Sequence, residues 1–233
     1  MKLDEAKVLV TGGSSGIGRE TARLLIESGA KVVICGRRKD VLDETATAIG
    51  ATAVQADVSN SGEVERLVAD TIASLGGYNT LINNAAWGDF GPLVDIDVDR
   101  FRALLDTNVT GAMLVARESA RYFVQENTGN IINIASTAAL RGFAGGSAYV
   151  ASKFALTGMT ECWRAELRKH NVRVTQINPS EVQTGFAAAA GYEQKLSTRK
   201  LRGEDIAHAI VSCLEMHDRG FITDATVFAT NPD

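Results

Sequence analysis

The sequence predicts a doubly wound parallel α/β sheet of seven strands with helices on both faces. Three observations carry this. Short β-branched apolar runs alternate with segments of helical periodicity, the runs are apolar without a polar face, and Gly-rich or polar clusters follow several of them. A strand covered by helices on both sides is buried on both sides, so its sequence reads as continuously hydrophobic. Right-handed crossovers then distribute the helices over the two faces of the sheet.

The elements follow in order. Val8-Leu9-Val10 is the first strand, and Ile17, Thr21, Leu24 and Leu25 repeat at helical spacing behind it. Val32-Val33-Ile34 is the second strand, followed by a helix on Val41, Leu42, Thr45, Ala48 and Ile49. Ala53-Val54 and the helical set Val64, Leu67, Val68, Thr71 and Ile72 form the third unit. Thr80-Leu81-Ile82 precedes one long helical stretch from Asp97 to about Glu126. Ile131 to Ile134 precedes a helix from Ser147 to His170, Val172 to Ile177 precedes a helix from Glu204 to Met216, and Ala225 to Phe228 is the last strand. In open sheets of this kind ligands sit beyond the carboxyl ends of the strands. Gly12 to Gly18, Asn83-Asn84-Ala85, Ser136 and Asn178-Pro179-Ser180 all follow strands, so one edge of the sheet is the expected active face.

Composition narrows the classes. A chain of 233 residues with 45% hydrophobic and 22% charged residues, and no Pro-rich or charged linker, is expected to be a single domain, 1–233. The net charge of -4 comes from interspersed charges, which argues against nucleic acid. No apolar run reaches the roughly 18 to 20 residues of a membrane span, and Met1 to Ala6 is polar, so a cytoplasmic address is expected. Cys35, Cys162 and Cys213 have no ligand spacing and lie in apolar segments; they are expected as buried free thiols. His170, His208 and His217 are scattered, and no metal is expected.

Gly12, Gly16 and Gly18 form a G-x-x-x-G-x-G turn between a strand and a helix, a variant of the dinucleotide fingerprint of a Rossmann fold. Glycine lets the backbone turn tightly and approach a pyrophosphate, whose charge the helix N-terminus favours; the competing reading is a tight turn with no ligand. Ser14, Ser15 and Ile17 belong to the same loop. At the end of the second strand, where an NAD site usually carries a carboxylate, the chain reads Cys35-Gly36-Arg37-Arg38. A guanidinium there suits a 2′-phosphate, so NADP is preferred over NAD, with Arg37 the better candidate and Arg38 a solvated neighbour. The alternative is a solvated start to the next helix. Asp57, with Val58 after it, could accept from an adenine amino group or cap a helix.

Tyr149 and Lys153 stand one helical turn apart on one face. A free phenol is a weak base at neutral pH, but a neighbouring ammonium favours phenolate, and such a Tyr could pass a proton to or from a substrate oxygen. Ser136, at the end of the fifth strand, could hold the carbonyl, or only cap a turn. Asn108 lies inside a helical stretch where Asn is a poor former, so it marks either a solvated position or a local distortion near Lys153.

Taken together, Thr11-Gly12-x-x-x-Gly16-Ile17-Gly18, Asn83-Asn84-Ala85, Asn108, Ser136, Tyr149-x-x-x-Lys153 and Pro179-x-x-Val182-x-Thr184 make the chain resemble the short-chain dehydrogenase/reductase family nearly end to end. It is similar to single-domain members such as 3-oxoacyl-acyl-carrier-protein reductases and small NADP-dependent hydroxy-acid or serine-type dehydrogenases. The resemblance implies Tyr149 as general acid/base, Lys153 as ribose ligand and modulator, Ser136 as substrate orienter and Asn108 as holder of a relay water. It implies that Asp57 meets adenine, that Asn84 and Ala85 flank the adenosine ribose, and that Val182 and Thr184 after Pro179 meet the nicotinamide carboxamide. Ala86 and Ser180 stand where the family usually has Gly.

Substrate choice is expected in Trp87, in the loop from Leu140 to Phe143, and in a lid over 185–200. Phe186, Tyr192, Lys195, Arg199 and Lys200 would give that lid an apolar pocket with a basic rim, suited to an acyl thioester on an acidic carrier; solvated charges on an amphipathic helix are the alternative. The expected partner is a small carbonyl or alcohol substrate. Gly111, Ala112, Ala155 and Gly158 would permit close helix packing, and the resemblance implies a homodimer or homotetramer built there. A non-catalytic dinucleotide sensor or scaffold is the rival function.

Overall fold

The computed structural model describes residues 1–194 and 196–231, so the Lys195 expected in the lid rim lies outside the described residues. Among the described residues there are nine strands: β1 (Lys7–Thr11), β2 (Lys31–Gly36), β3 (Thr52–Gln55), β4 (Thr80–Asn83), β5 (Gly129–Ile134), β6 (Val172–Pro179), β7 (Val182–Gln183), β8 (Leu201–Arg202) and β9 (Asp224–Val227). Seven of them form one sheet in the order β3-β2-β1-β4-β5-β6-β9, and every pair is parallel. The helices are α1 (Gly16–Glu27), α2 (Lys39–Ile49), α3 (Ser61–Leu75), α4 (Val98–Leu105), α5 (Ala112–Glu126), α6 (Ser147–Leu167), α7 (Phe186–Ala189) and α8 (Gly203–Glu215).

The apolar strands serve both faces at once. Val8 and Val10 of β1 enter the core with α1 and α8, whereas Leu9 between them enters the core with α3 and α5. β2 divides in the same way, Val32 and Ile34 to one side and Val33 and Cys35 to the other. This is the pleat's two-residue period read through a strand that has no solvent face. The sheet order reverses beside β1, with β2 and then β3 on one flank and β4 on the other, which opens the crevice where such sheets hold ligands.

Four features depart from the sequence reading. The stretch from Asp97 to Glu126 is not one helix: a π-helical turn over Asp106–Gly111 separates α4 from α5. That distortion falls on Asn108, as one of the two readings of this poor helix former anticipated. β9 stops at Val227, and Phe228 is exposed. β7 and β8 pair in parallel as a separate two-stranded piece flanking the lid, too short to leave a periodic signal. Cys35 and Cys213 are buried, but Cys162 is exposed, because it lies on the outward side of α6 with Gly158 and Ala165. Gly111 serves packing within the chain: a Cβ there would stand 2.9 Å from Val58 Cγ2. Among the described residues, no helix is long and apolar enough to cross a membrane.

Candidate active site

The glycine loop leaves β1 at Thr11 and enters α1 at Gly16. Gly12 (φ 63°) and Gly16 (φ 54°) occupy the left-handed region, where a side chain strains the backbone. A Cβ at Gly18 would collide with the Gly12 carbonyl and stand 2.6 Å from Asn84 Nδ2. Ser15 is the N-cap of α1, yet its side chain makes no capping hydrogen bond to the first-turn amides. A backbone stripped of Cβ atoms with uncapped N–H groups at a helix start fits an anionic pyrophosphate. A cavity of about 630 Å³ opens there, lined in part by Ser15, Gly16, Gln183 and Thr184. The Ser14 carbonyl accepts from Thr45 Oγ1 at 3.1 Å, and Ile17 packs against the core, so both hold the loop from behind.

Across the crevice, Thr11 Oγ1 accepts the amides of Asn84 and Ala85, each at 2.9 Å. Asn84 Nδ2 donates back to the Thr11 carbonyl at 2.9 Å, so its side chain ties β4 to β1. At the β2 end, Arg37 is exposed and its Nη1 stands 4.0 Å from Asp57 Oδ2. Arg38 is the exposed residue preceding α2. Asp57 Oδ1 accepts from the Ser59 amide at 3.0 Å and the Ser59 hydroxyl at 2.7 Å, and the cap of the following helix is Asn60. The helix-cap reading of Asp57 is thereby corrected: its carboxylate folds a turn ahead of the helix. Val58 is buried against Gly111.

Pro179 ends β6 in the interior, Val182 lies in β7, and Thr184 Oγ1 accepts from the Phe186 amide at 3.2 Å. A Cβ on Gly16 would stand 3.2 Å from Thr184 Cβ, so the β7 segment closes on the glycine loop. Ala86 and Ser180 both avoid the left-handed region, so their side chains do not strain the backbone there.

Ser136 follows β5 and caps the short turn Thr137–Ala139, accepting from the Ala138 amide at 3.1 Å. Its hydroxyl is also near enough to the Tyr149 oxygen to favour the phenolate. Capping and influence on the phenol therefore coexist. Lys153 is 3% exposed, donates to the Ile134 carbonyl at 2.9 Å, and its Nζ lies 5.6 Å from the Tyr149 ring centroid. Burial pulls Lys153 down to about 8 and pushes Tyr149 up to about 12, the latter against the influence of Ser136, which favours phenolate. The ammonium lies against the ring and bonds to a main-chain carbonyl, and desolvation is the largest influence on the phenol.

Asn108 is 1% exposed and supports this cluster through hydrogen bonds. Its Nδ2 reaches Ser152 Oγ at 3.1 Å, and Ser152 Oγ donates to the Tyr149 carbonyl at 2.7 Å. Ser152 was not singled out by sequence, since a Ser between Tyr and Lys on a helix carries no signal of its own. Phe90 was also missed; it comes within 5.5 Å of the Tyr149 ring. Trp87, Phe143 and Phe186 were expected at the substrate side. The Phe186 ring lies tilted 5.5 Å from Tyr149, Phe143 tilted 6.1 Å from Phe90, and Trp87 carries Arg100 over its ring at 5.5 Å. In the lid, Lys200 is paired with Glu181 at 2.8 Å, so that part of the basic rim is already neutralised. Among the described residues no cluster of His, Cys, Asp and Glu has the makings of a metal site.

Fold and site together define an open parallel α/β sheet with a dinucleotide-type glycine loop at its reversal point and a Ser-Tyr-Lys cluster beyond the next strands. The sequence model of the short chain dehydrogenases matches residues 6–195, and the chain belongs to that family of oxidoreductases. An uncharacterized oxidoreductase of Staphylococcus aureus is 32% identical over 228 residues, 97% of each chain. A 2,5-dichloro-2,5-cyclohexadiene-1,4-diol dehydrogenase of Sphingobium indicum is 36% identical over 181 residues, covering 76% of this chain and 72% of that one. The closed form of serine dehydrogenase in complex with NADP+ superposes with a TM-score of 0.88 at 30% identity, over 94% of this chain and 93% of that one.

Proposed function

We propose that this oxidoreductase transfers hydride between NADP(H) and a carbonyl or secondary alcohol, with Tyr149 as general acid/base. The observation that carries the reading is the Lys153 ammonium against the Tyr149 ring, with Ser136 placed to favour the phenolate, at the carboxyl edge of the sheet. When bound, the nicotinamide supplies or takes the hydride. Gly12, Ser14, Ser15, Gly16, Ile17 and Gly18 hold its pyrophosphate through main-chain N–H groups and the start of α1. Asn84, Ala85 and Lys153 serve the riboses, and Asp57 with Val58 the adenine. Pro179, Val182 and Thr184 bound the nicotinamide side, and Arg37, with Arg38 beside it, takes the 2′-phosphate that distinguishes NADP from NAD. The NADP complex of the serine dehydrogenase neighbour supports that choice.

With its phenol held near 12, Tyr149 keeps its proton at neutral pH and is poised to donate it to a carbonyl oxygen as the carbon is reduced. Ser136 holds that oxygen. Lys153, charged below about 8, favours the phenolate that forms once the proton has left, and that phenolate is the base for the reverse reaction. The Asn108 turn holds a relay water behind Lys153. A groove of about 570 Å³ between α5 and α6, lined by Met113, Ala116, Arg117 and Trp163 among others, supports assembly of a homodimer or homotetramer through these helices.

The test is oxidation of NADPH by a panel of ketones, with Tyr149→Phe as the control. Turnover lost in Tyr149→Phe while NADPH still binds is the expected result. Binding of NADPH by the wild-type protein with no turnover on a broad panel favours the sensor or scaffold instead.

A further inference from the structure

The rings around the Tyr149 phenol bear on the class of molecule it works on. Phe90 and Phe186 come from different segments, the loop after β4 and the start of α7. Each lies 5.5 Å from the Tyr149 ring at an interplanar angle of 59°. Phe90 also meets Tyr192 edge-on at 5.6 Å and Phe143 at 6.1 Å. A single glycine makes this nesting possible. A Cβ on Gly88 would stand 2.7 Å from Phe186 Cζ and 2.8 Å from Phe90 Cε2, so any other residue would drive the two rings apart.

These rings do not behave as ordinary core. Phe143 is 52% exposed and Tyr192 42% exposed, so apolar surface is left open to solvent on the substrate side of the proton donor. A ligand that covers such surface recovers burial free energy, and a flat ring does so with favourable tilted or offset geometry.

Charge points the same way. Arg100 is paired with Asp89 at 2.6 Å, Lys200 with Glu181 at 2.8 Å, and Lys153 donates to the Ile134 carbonyl. A carboxylate pressed against Phe90 and Phe186 would lose its hydration with those cations already engaged. Arg141, exposed in the same loop as Phe143, is one cation among the described residues that a carboxylate-bearing substrate could recruit.

We propose that Phe90 and Phe186 form a two-sided aromatic seat, made possible by Gly88, that selects an uncharged ring-bearing ketone or alcohol over a carboxylate-bearing or carrier-linked one. This rests on Tyr149 being the proton donor for turnover, but ligand selection by the seat does not. Binding and turnover are therefore measured separately, with acetophenone, acetoacetate and butanone as probes, by calorimetry with and without saturating NADPH and by NADPH oxidation.

Acetophenone is expected to bind about tenfold more tightly than acetoacetate. Phe90→Leu and Phe186→Leu, which keep an apolar side chain, are expected to weaken acetophenone by about tenfold, the scale of a lost ring contact, and to leave butanone within about twofold. Arg141→Ala is expected to change neither. Equal affinity for acetophenone and acetoacetate, equal losses on all probes in the Leu variants, or loss of acetoacetate binding in Arg141→Ala as the dominant effect would each overturn the seat. Selective binding without turnover leaves the seat standing and overturns the assigned reaction. Turnover without selectivity does the reverse.

Discussion

Asn108 closes a two-bond clasp on the main chain of Trp87. Its Oδ1 accepts the Trp87 amide at 3.0 Å and its Nδ2 donates to the Trp87 carbonyl at 2.9 Å. The carboxamide thus completes the hydrogen bonding of a loop that leaves β4, from within a π-helical turn that no ordinary helix would place there. The same Nδ2 reaches Ser152 on the helix of Tyr149, so one side chain fixes the loop, the turn and the catalytic helix relative to one another.

Asn108→Ala is therefore expected to destabilise the protein and to impair turnover together. It leaves the Trp87 amide and carbonyl without partners in a partly buried loop, at about 1 to 3 kcal/mol for each group. A loss of about 2 to 4 kcal/mol in denaturant unfolding is the predicted scale. An unfolding midpoint equal to the wild type would show that the clasp contributes nothing.

Tyr149→Phe removes one oxygen and little volume. Catalysis by a positioned acid or base typically contributes ~10² to 10⁴, and that is the expected loss in kcat. NADPH affinity should stay within about threefold, since no cofactor contact is assigned to the phenol oxygen; the range reflects ordinary mutational scatter. Retained turnover in this variant would move the proton donor elsewhere.

For cofactor choice, NADPH and NADH dissociation constants in the wild type should differ by more than about tenfold, the scale of one charge-assisted contact. Arg37→Ser should erase most of that difference by weakening NADPH alone. Arg38→Ser should leave it largely intact. The 4.0 Å approach of Arg37 to Asp57 is a loose, exposed pairing that gives little resistance to a stronger phosphate contact. Equal constants in the wild type would reject the assignment.

What the sequence discloses, and what it does not, follows from how each feature is encoded. The sheet is legible because strands such as Val8-Leu9-Val10 must be apolar on both faces, and that requirement writes a run no other element needs. The glycine loop and the Tyr149-Lys153 pair are legible because fixed backbone geometry and one helical turn impose fixed spacings. Asn108 is half legible: its poor helix propensity signals a distortion, whereas its clasp on Trp87 joins residues 21 apart in the chain and has no local mark. Gly88, Phe90 and Ser152 escape for the same reason, since loop aromatics and a helical Ser acquire their meaning only when separate segments meet. Cys162 misleads because an apolar neighbourhood in sequence does not say which way a helix faces.

Lys153 offers a prediction that separates the site's electrostatics from its chemistry. Its folded-state pKa is drawn down to about 8 from an ordinary 10.5 by desolvation, so the charged form is a burden on the fold below about pH 8. Between about 8 and 10.5 the unfolded chain binds more protons at this site than the folded one, so the linkage slope is positive and stability rises with pH. The burden at neutral pH is on the order of 3 kcal/mol at about 1.4 kcal/mol per unit. Lys153→Met removes it, at the cost of the bond to the Ile134 carbonyl, and also removes catalysis. Relative to the wild type, Lys153→Met should therefore lie higher in unfolding free energy near pH 7 than near pH 10. The gap between the two proteins should narrow by on the order of 2 to 3 kcal/mol across that interval. Urea titrations of both proteins at a series of pH values measure this difference directly, and other titrating groups cancel in the comparison. Parallel curves would mean that the ammonium sits in the interior without penalty, and the phenolate-favouring charge assigned to it would then have to be paid for by contacts other than those seen around Ile134 and Tyr149.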